Sequence, residues 1–177
     1  MNRLTEKEHN VLNRKGGYYN LNSEYRRLLQ IPQVAECLKC KGSELSSDFL
    51  GFLDDYRDLA GRLGDMTIID LGCNQAIQAI YFPERDYIGI DTIPTEIRFT
   101  ARWTYHKQMK IQDYCAMLNK EGFDKYNTFA FCCNVPDNDG VWDCVRSTFK
   151  YYRITYPGKD GFTHTIYENL PDSAKGE

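Results

Sequence analysis

The glycine signatures that cradle phosphate are missing from this sequence. No G-x-x-x-x-G-K-[ST] occurs in its 177 residues, which excludes the loop that holds a nucleoside triphosphate on backbone N–H groups and a lysine. Long apolar runs are absent too. None approaches the ~20 residues needed to span a bilayer, and the opening "MNRLTEKEHN" has no apolar stretch after its charges, so it does not read as a signal peptide. The expected location is cytoplasmic, with no membrane association. Neither sign of charge dominates, with 22 Lys and Arg against 25 Asp and Glu. A net charge of −3 argues against a general nucleic-acid binder, which is usually basic, although Arg14, Lys15, Arg26 and Arg27 sit close together among tyrosines. Histidine is scarce: His9, His106 and His164 are far apart, and no Ser–His–acid or Cys–His–acid set is evident. Seven cysteines, an odd number at irregular spacing, exclude a disulfide framework. Cys37 and Cys40 have zinc-finger spacing, but no second C-x-x-C or H-x-x-x-H follows, and a structural zinc needs four ligands. No metal site is expected. There is no internal repeat and no low-complexity segment.

What is present is a change of pattern near Met66. Before it the chain reads as helical. In "SSDFLGFLDDYRDLAGRLG", Phe49, Phe52, Leu53, Tyr56, Leu59, Ala60 and Leu63 recur at three- and four-residue steps and form one apolar face, with Gly64 able to end the helix. Two shorter helices precede it, one with Pro32 at its start, and Tyr18 and Tyr19 lie in a glycine- and asparagine-rich loop. From Met66 onward short apolar runs alternate with helical stretches. "MTIIDLG", "DYIGID", "MKIQDY", "YNTFAFCCNV", "YYRITYP" and "FTHTIYE" read as strands. "QAIQAIYF", "PTEIRFTARWTYHKQ", "CAMLNKEGF" and "DNDGVWDCVRSTF" read as helices, with Trp103 and Trp142 in the core. Cys73, Cys115, Cys132 and Cys133 fall in or beside apolar segments and read as buried small hydrophobes. Alternation of this kind predicts an α/β fold: a doubly wound, mostly parallel sheet over residues 66–177, with an N-terminal helical extension over 1–65 packed on it.

In such sheets ligands bind beyond the carboxyl ends of the strands. On this reading four successive strands end in polar groups: Asp70 and Gly72, then Asp91, then Asp113, then Asn134. Gly72 and Asp91 are nineteen residues apart, near the ~20 that separate a glycine turn from a ribose-binding acid. A dinucleotide would need the further glycines of G-x-G-x-x-G to bring backbone N–H groups to its pyrophosphate. The run here is Gly72-Cys73-Asn74-Gln75-Ala76-Ile77, which disfavours a nicotinamide-dependent reductase. S-adenosylmethionine has adenine and ribose, no phosphate, and positive charge on its ammonium and sulfonium. An acidic site with one glycine suits it.

Residues 66 to about 156 resemble a class I S-adenosylmethionine-dependent methyltransferase domain. "IIDLGCNQA" is similar to the family's first motif, "YIGID" to its second, "IQDY" to its third and "FAFCCNVP" to its fourth. The resemblance implies S-adenosylmethionine as cofactor. Asp70, Gly72 and Asn74 would lie near its methionine part, Asp91 would take the ribose hydroxyls, Asp113 with Tyr114 would contact adenine, and Asn134 would face the transferred methyl and act in catalysis on an unidentified acceptor. Departures are plain: Asn74 and Ala76 replace small glycines, and Val135 stands where the fourth motif of amino-group methyltransferases has proline. Each residue also has a structural alternative. Asp91 can start a turn, Asp113 can cap a helix, and Asn134 before Pro136 and Asp137 is turn chemistry. The rival function is a methyltransferase-like fold used as a binding module for a protein partner, for example a small viral or mobile-element protein that modulates a host.

Overall fold

In a computed structural model, residues 56–100, 102–159 and 163–175 are described, together with Gln30 and Pro32. The other residues expected to form N-terminal helices, the loop tyrosines Tyr18 and Tyr19, the basic cluster, and Cys37 and Cys40 lie outside them. Six strands form one sheet: β1 (Thr67–Leu71), β2 (Tyr87–Asp91), β3 (Thr104–Gln108), β4 (Thr128–Cys133), β5 (Tyr151–Pro157) and β6 (Thr163–Asn169). Their order is β3-β2-β1-β4-β5-β6. The first five are parallel, and β6 runs antiparallel to β5. The fold is therefore α/β with a mostly parallel sheet, as the alternation of patterns predicted. The chain leaves β1 toward β2 and β3 on one side, then returns to the other side of β1 with β4. The carboxyl ends of β1 and β4 thus flank a switch point.

The central strands are buried on both faces, which is why they read as continuous apolar runs. Side chains alternate. Ile68, Tyr87, Phe129 and Phe131 enter one apolar cluster with Tyr56, Leu59 and Leu63. Ile69, Leu71, Ile90, Ala130, Cys132 and Ile154 enter the other. The first face is covered by a helical segment, residues 56–60, and by a 3-10 helix at Ile77–Tyr81. Tyr56, Leu59 and Leu63 lie on its apolar side as their spacing required, and Gly64 follows with φ of 56°. The second face is covered by α1 (Ile111–Glu121) and α2 (Val141–Thr148). Cys73, Cys115, Cys132 and Cys133 are buried and not disulfide-bonded.

Two expected elements are corrected. The helix expected over residues 94–108 is replaced by a 3-10 turn at Thr95–Ile97 and the strand β3. Residues 109–114 are not a strand, because Ile111 begins α1. The buried residues Ile111, Tyr114, Cys115 and Leu118 sit at i, i+3, i+4 and i+7, which is helical spacing. β3 was hard to see because it is an edge strand with Tyr105, Lys107 and Gln108 exposed, so its pattern carries no apolar stripe. Trp103, expected in the core, is 39% exposed just before β3, with the Arg102 guanidinium 5.0 Å from its ring centroid. Two smaller differences follow backbone strain. The helix expected at 75–82 is only the 3-10 turn, because Ala76 before it is left-handed at φ 56°. The helix expected from residue 137 begins at Val141, because Asp139 and Gly140 are left-handed.

Opposite β3, the sheet ends on β6, whose residues 164–169 are all exposed. Its pairing with β5 slips by one residue, so Ile166 is extra and forms a bulge. A bulge twists an edge away from further pairing, one of the devices by which sheets avoid edge-to-edge association.

Candidate functional site

The switch point holds most of the residues singled out from sequence. Asp70, although next to the turn, points into the first face and is fully buried. Its carboxylate accepts hydrogen bonds from Tyr56 Oη at 2.7 Å, Gln78 Nε2 at 2.5 Å and Tyr87 Oη. Burial pushes its pKa up to about 6, against the downward pull of the three donors, of which Tyr87 is the strongest. Both tyrosines are held well above their usual range by the same burial and by the nearby carboxylate. Asp70 is therefore engaged by three donors of the protein and joins the 56–60 helix to β1.

Gly72 has φ of 77°, and a Cβ placed on it would stand 2.3 Å from Val135 Cγ2. Both backbone and space require glycine here, and the space is filled by the chain's own valine. Gly72→Ala should destabilise the fold by about 2–4 kcal/mol, combining a left-handed alanine with overpacking. In a Val135→Ala background the cost should fall to the backbone part, ~1–2 kcal/mol. Urea unfolding of the four variants measures this, and an equal cost in both backgrounds would disprove the Val135 contact as its source.

The turn's N–H groups are used internally. Gly72 and Cys73 donate to Ile90 O, Ala76 donates to Cys73 O, and Asn74 donates to Asp91 Oδ2 at 2.8 Å. None of these four is offered to a phosphate, which agrees with the missing glycines. Asp91 ends β2 and is half-buried. Its second oxygen accepts the Ile93 N–H at 3.2 Å. A carboxylate has about four lone-pair sites, so each oxygen keeps one for a further donor. The expected turn role of Asp91 is thus real, and it leaves acceptor capacity.

Asn134 follows β4 with φ of 59°, exposed, its N–H donated to Thr155 O at 2.8 Å. Asn74 (φ 51°) and Ala76 (φ 56°) are left-handed on the β1 side. Asparagine tolerates this region, whereas alanine pays ~1–2 kcal/mol. Strain of this kind gathers where a structure holds a site in place.

Asp113 and Tyr114 are not at a strand end. Asp113 is exposed in the first turn of α1, where a carboxylate favours the helix dipole. Tyr114 is 2% exposed in the second apolar cluster, its phenol pushed up to about 12 by burial. The third strand ends instead at Gln108, whose Nε2 donates to Thr92 O at 3.1 Å.

Several residues of this region were not singled out from sequence. Gln78 and Tyr87 complete the Asp70 network. Arg98, 4% exposed, donates to Gly89 O, Lys107 O, Asp91 O and Ile93 O. It clamps the ends of β2 and β3 and fixes the turn that carries Asp91. Gly89 is packed closely beneath it, because an added Cβ would meet Cys73 Sγ and His106 Nδ1, each at 2.8 Å. Trp142, half-buried on α2, donates Nε1–H to Val135 O at 2.8 Å and stands beside the loop after β4. Among the described residues no three His, Cys, Asp or Glu side chains group so as to hold a metal ion, and no helix is long and apolar enough to cross a membrane. Compared with known proteins, the chain matches no family model, no curated protein and no solved structure.

Proposed function

We propose that this chain is a class I methyltransferase-like domain that binds S-adenosylmethionine across the β1–β4 switch point and transfers its methyl group to an acceptor held near Asn134. In this reading the sheet is the doubly wound Rossmann-like arrangement and the N-terminal segment is a cover. The observation that carries it is the seat of Asp91. It is an acid at the end of the second strand, beside a lone-glycine turn whose N–H groups are engaged internally, fixed by Asn74 and Ile93 and backed by Arg98, with lone pairs left for two ribose hydroxyls. The strand order and the phosphate-averse turn support the same ligand. The chemistry is in-line displacement. A lone pair on the acceptor attacks the methyl carbon, the carbon–sulfur bond breaks, sulfur leaves as a neutral thioether, and the acceptor loses its proton. The protein mainly aligns the two reactants.

Asp91→Ala should weaken binding of S-adenosylhomocysteine by about 1.5–3 kcal/mol, the worth of hydrogen bonds to a charged group, in a protein that stays folded. Unchanged affinity in a folded variant would reduce Asp91 to a turn residue and sink the reading.

One observation favours a second reading, the fold as a non-catalytic binding module for a protein partner. Val135 fills the open side of Gly72, on the side where the methionine half would lie. Mass spectrometry of small molecules released from the purified protein separates the two: an S-adenosyl nucleoside for the first, none for the second.

A further inference from the structure

We infer that the outer edge of β3 is a dimer interface, on which a second copy of this chain lays its own β3 antiparallel, so that one sheet runs through both molecules. Strand β3 pairs with β2 on one side, in an unbroken register from Thr104 to Gln108, and no other described strand pairs with it. Trp103 O accepts from Tyr87 N at 2.9 Å, and Met109 N donates to Asp91 O at 2.9 Å, so the odd-numbered residues turn their backbone groups to β2. Successive residues of a strand turn these groups to opposite sides. Those of Thr104, His106 and Gln108 therefore face outward, as a row of N–H and C=O groups. The opposite edge of the sheet is blunted by its bulge. The β3 edge has none, and the exposed side chains of Trp103 and Tyr105 stand at it. An unpaired edge of this kind is a template for another strand.

The residues along the edge select a second copy as its occupant. A twofold axis through His106 sets Thr104 opposite Gln108, Tyr105 opposite Lys107 and Trp103 opposite Met109. The outward-facing residues Thr104, His106 and Gln108 then fall in hydrogen-bonded pairs, as an antiparallel ladder requires, and the odd-numbered residues fall in the closer, non-hydrogen-bonded pairs. Lys107 lies on the α1 side of the sheet, its Nζ 5.6 Å from the Tyr114 ring centroid and 3.9 Å from Met117 Sδ. Trp103, Tyr105 and Met109 share that side by alternation. Each copy thus offers a Tyr105 ring to the other's Lys107 ammonium and a Trp103 indole to the other's Met109 thioether, pairings that cation–π and sulfur–aromatic attraction favour. Within β3 no like charges meet. Lys107 does not face its own copy, and His106, which does, is neutral at pH 7 because burial lowers its pKa. The same patch serves both copies, so the contact closes on itself as a dimer.

The test is the molar mass of the full chain in solution, by sedimentation equilibrium up to millimolar concentration. Wild type is expected at twice its 20.6 kDa. Tyr105 is 51% exposed, so Tyr105→Lys leaves the fold intact while setting lysine against lysine on both sides of the axis. It should weaken the dimer by roughly tenfold or more. Adding Lys107→Glu turns both pairs into ion pairs and should restore the dimer. Thr104→Pro, which removes an outward N–H and no bond to β2, should give a monomer, with circular dichroism confirming that it is folded. A wild-type monomer at every concentration would overturn the inference, and protection of the Thr104, His106 and Gln108 amides from exchange in that monomer would assign the edge to another segment of the same chain. A dimer that Tyr105→Lys leaves unchanged would overturn it equally.

Discussion

Asp70→Ala should destabilise the chain by about 3 kcal/mol at pH 7 and by about 6 kcal/mol at pH 4. The substitution orphans three buried donors, on Tyr56, Gln78 and Tyr87, each at ~1–3 kcal/mol. Against this, alanine removes a buried charge. A carboxyl whose pKa is about 6 in the fold and 3.8 outside it lowers stability by roughly 3 kcal/mol once it must ionise. The sign is fixed by the direction of the shift. The folded state holds its proton more tightly, so the contribution from this carboxyl is fully present below pH 3.8 and lost as pH rises through 6. Other carboxylates act over the same range, so the comparison with wild type at each pH is the informative one. Asp70→Asn is the control: it keeps the shape, removes the titration, and should abolish that part of the pH slope. Denaturant midpoints at pH 4, 5, 6 and 7 for the three proteins decide it. A penalty for alanine that is constant with pH would mean that Asp70 does not change its ionisation in this window.

The second large effect is expected in turnover. On the methyltransferase reading, Asn134→Ala should lower methyl transfer by about 10²–10⁴-fold, the usual scale for losing a group that handles the acceptor's proton, while leaving cofactor affinity nearly unchanged. An interaction made only in the transition state appears in turnover and not in ground-state binding. Asn134 has φ of 59°, so alanine also strains the backbone. Asn134→Gly removes the amide without that strain, and the two variants should be equally inactive. Labelled methyl donor incubated with fractionated lysate gives the readout. Equal incorporation by wild type and both variants would remove Asn134 from the reaction. Incorporation by none, in nucleic-acid, protein and small-molecule fractions alike, would leave the binding module.

The parts of the fold that were legible in sequence are those where burial writes a pattern. β1, β2 and β4 are buried on both faces and appear as apolar runs. The 56–63 segment shows its apolar stripe at helical spacing, and β5 and β6 alternate. β3 failed because an exposed edge strand has no such pattern, and its misplacement moved the third strand end from Gln108 to Asp113. The correct answer was written in Ile111, Tyr114, Cys115 and Leu118, whose spacing is helical. Around the site, Gly72, Asp91 and Asn134 could be found from position and residue type. Their contacts could not. That Asp70 faces inward follows from strand alternation only once β1 is known to be covered on both sides. That Val135 reaches Gly72, and Arg98 the carbonyls of β2 and β3, joins residues 63 and up to 9 positions apart through tertiary packing, which leaves no local signal.

Isothermal calorimetry with S-adenosylmethionine and S-adenosylhomocysteine tests the proposed nucleoside site most directly. Saturable heat for one ligand per chain is expected, reduced in Asp91→Ala, with no heat from a nicotinamide dinucleotide or a nucleoside triphosphate. Absence of heat and of any thermal shift with both S-adenosyl ligands at millimolar concentration would contradict it and leave the Asp91 turn as structure alone.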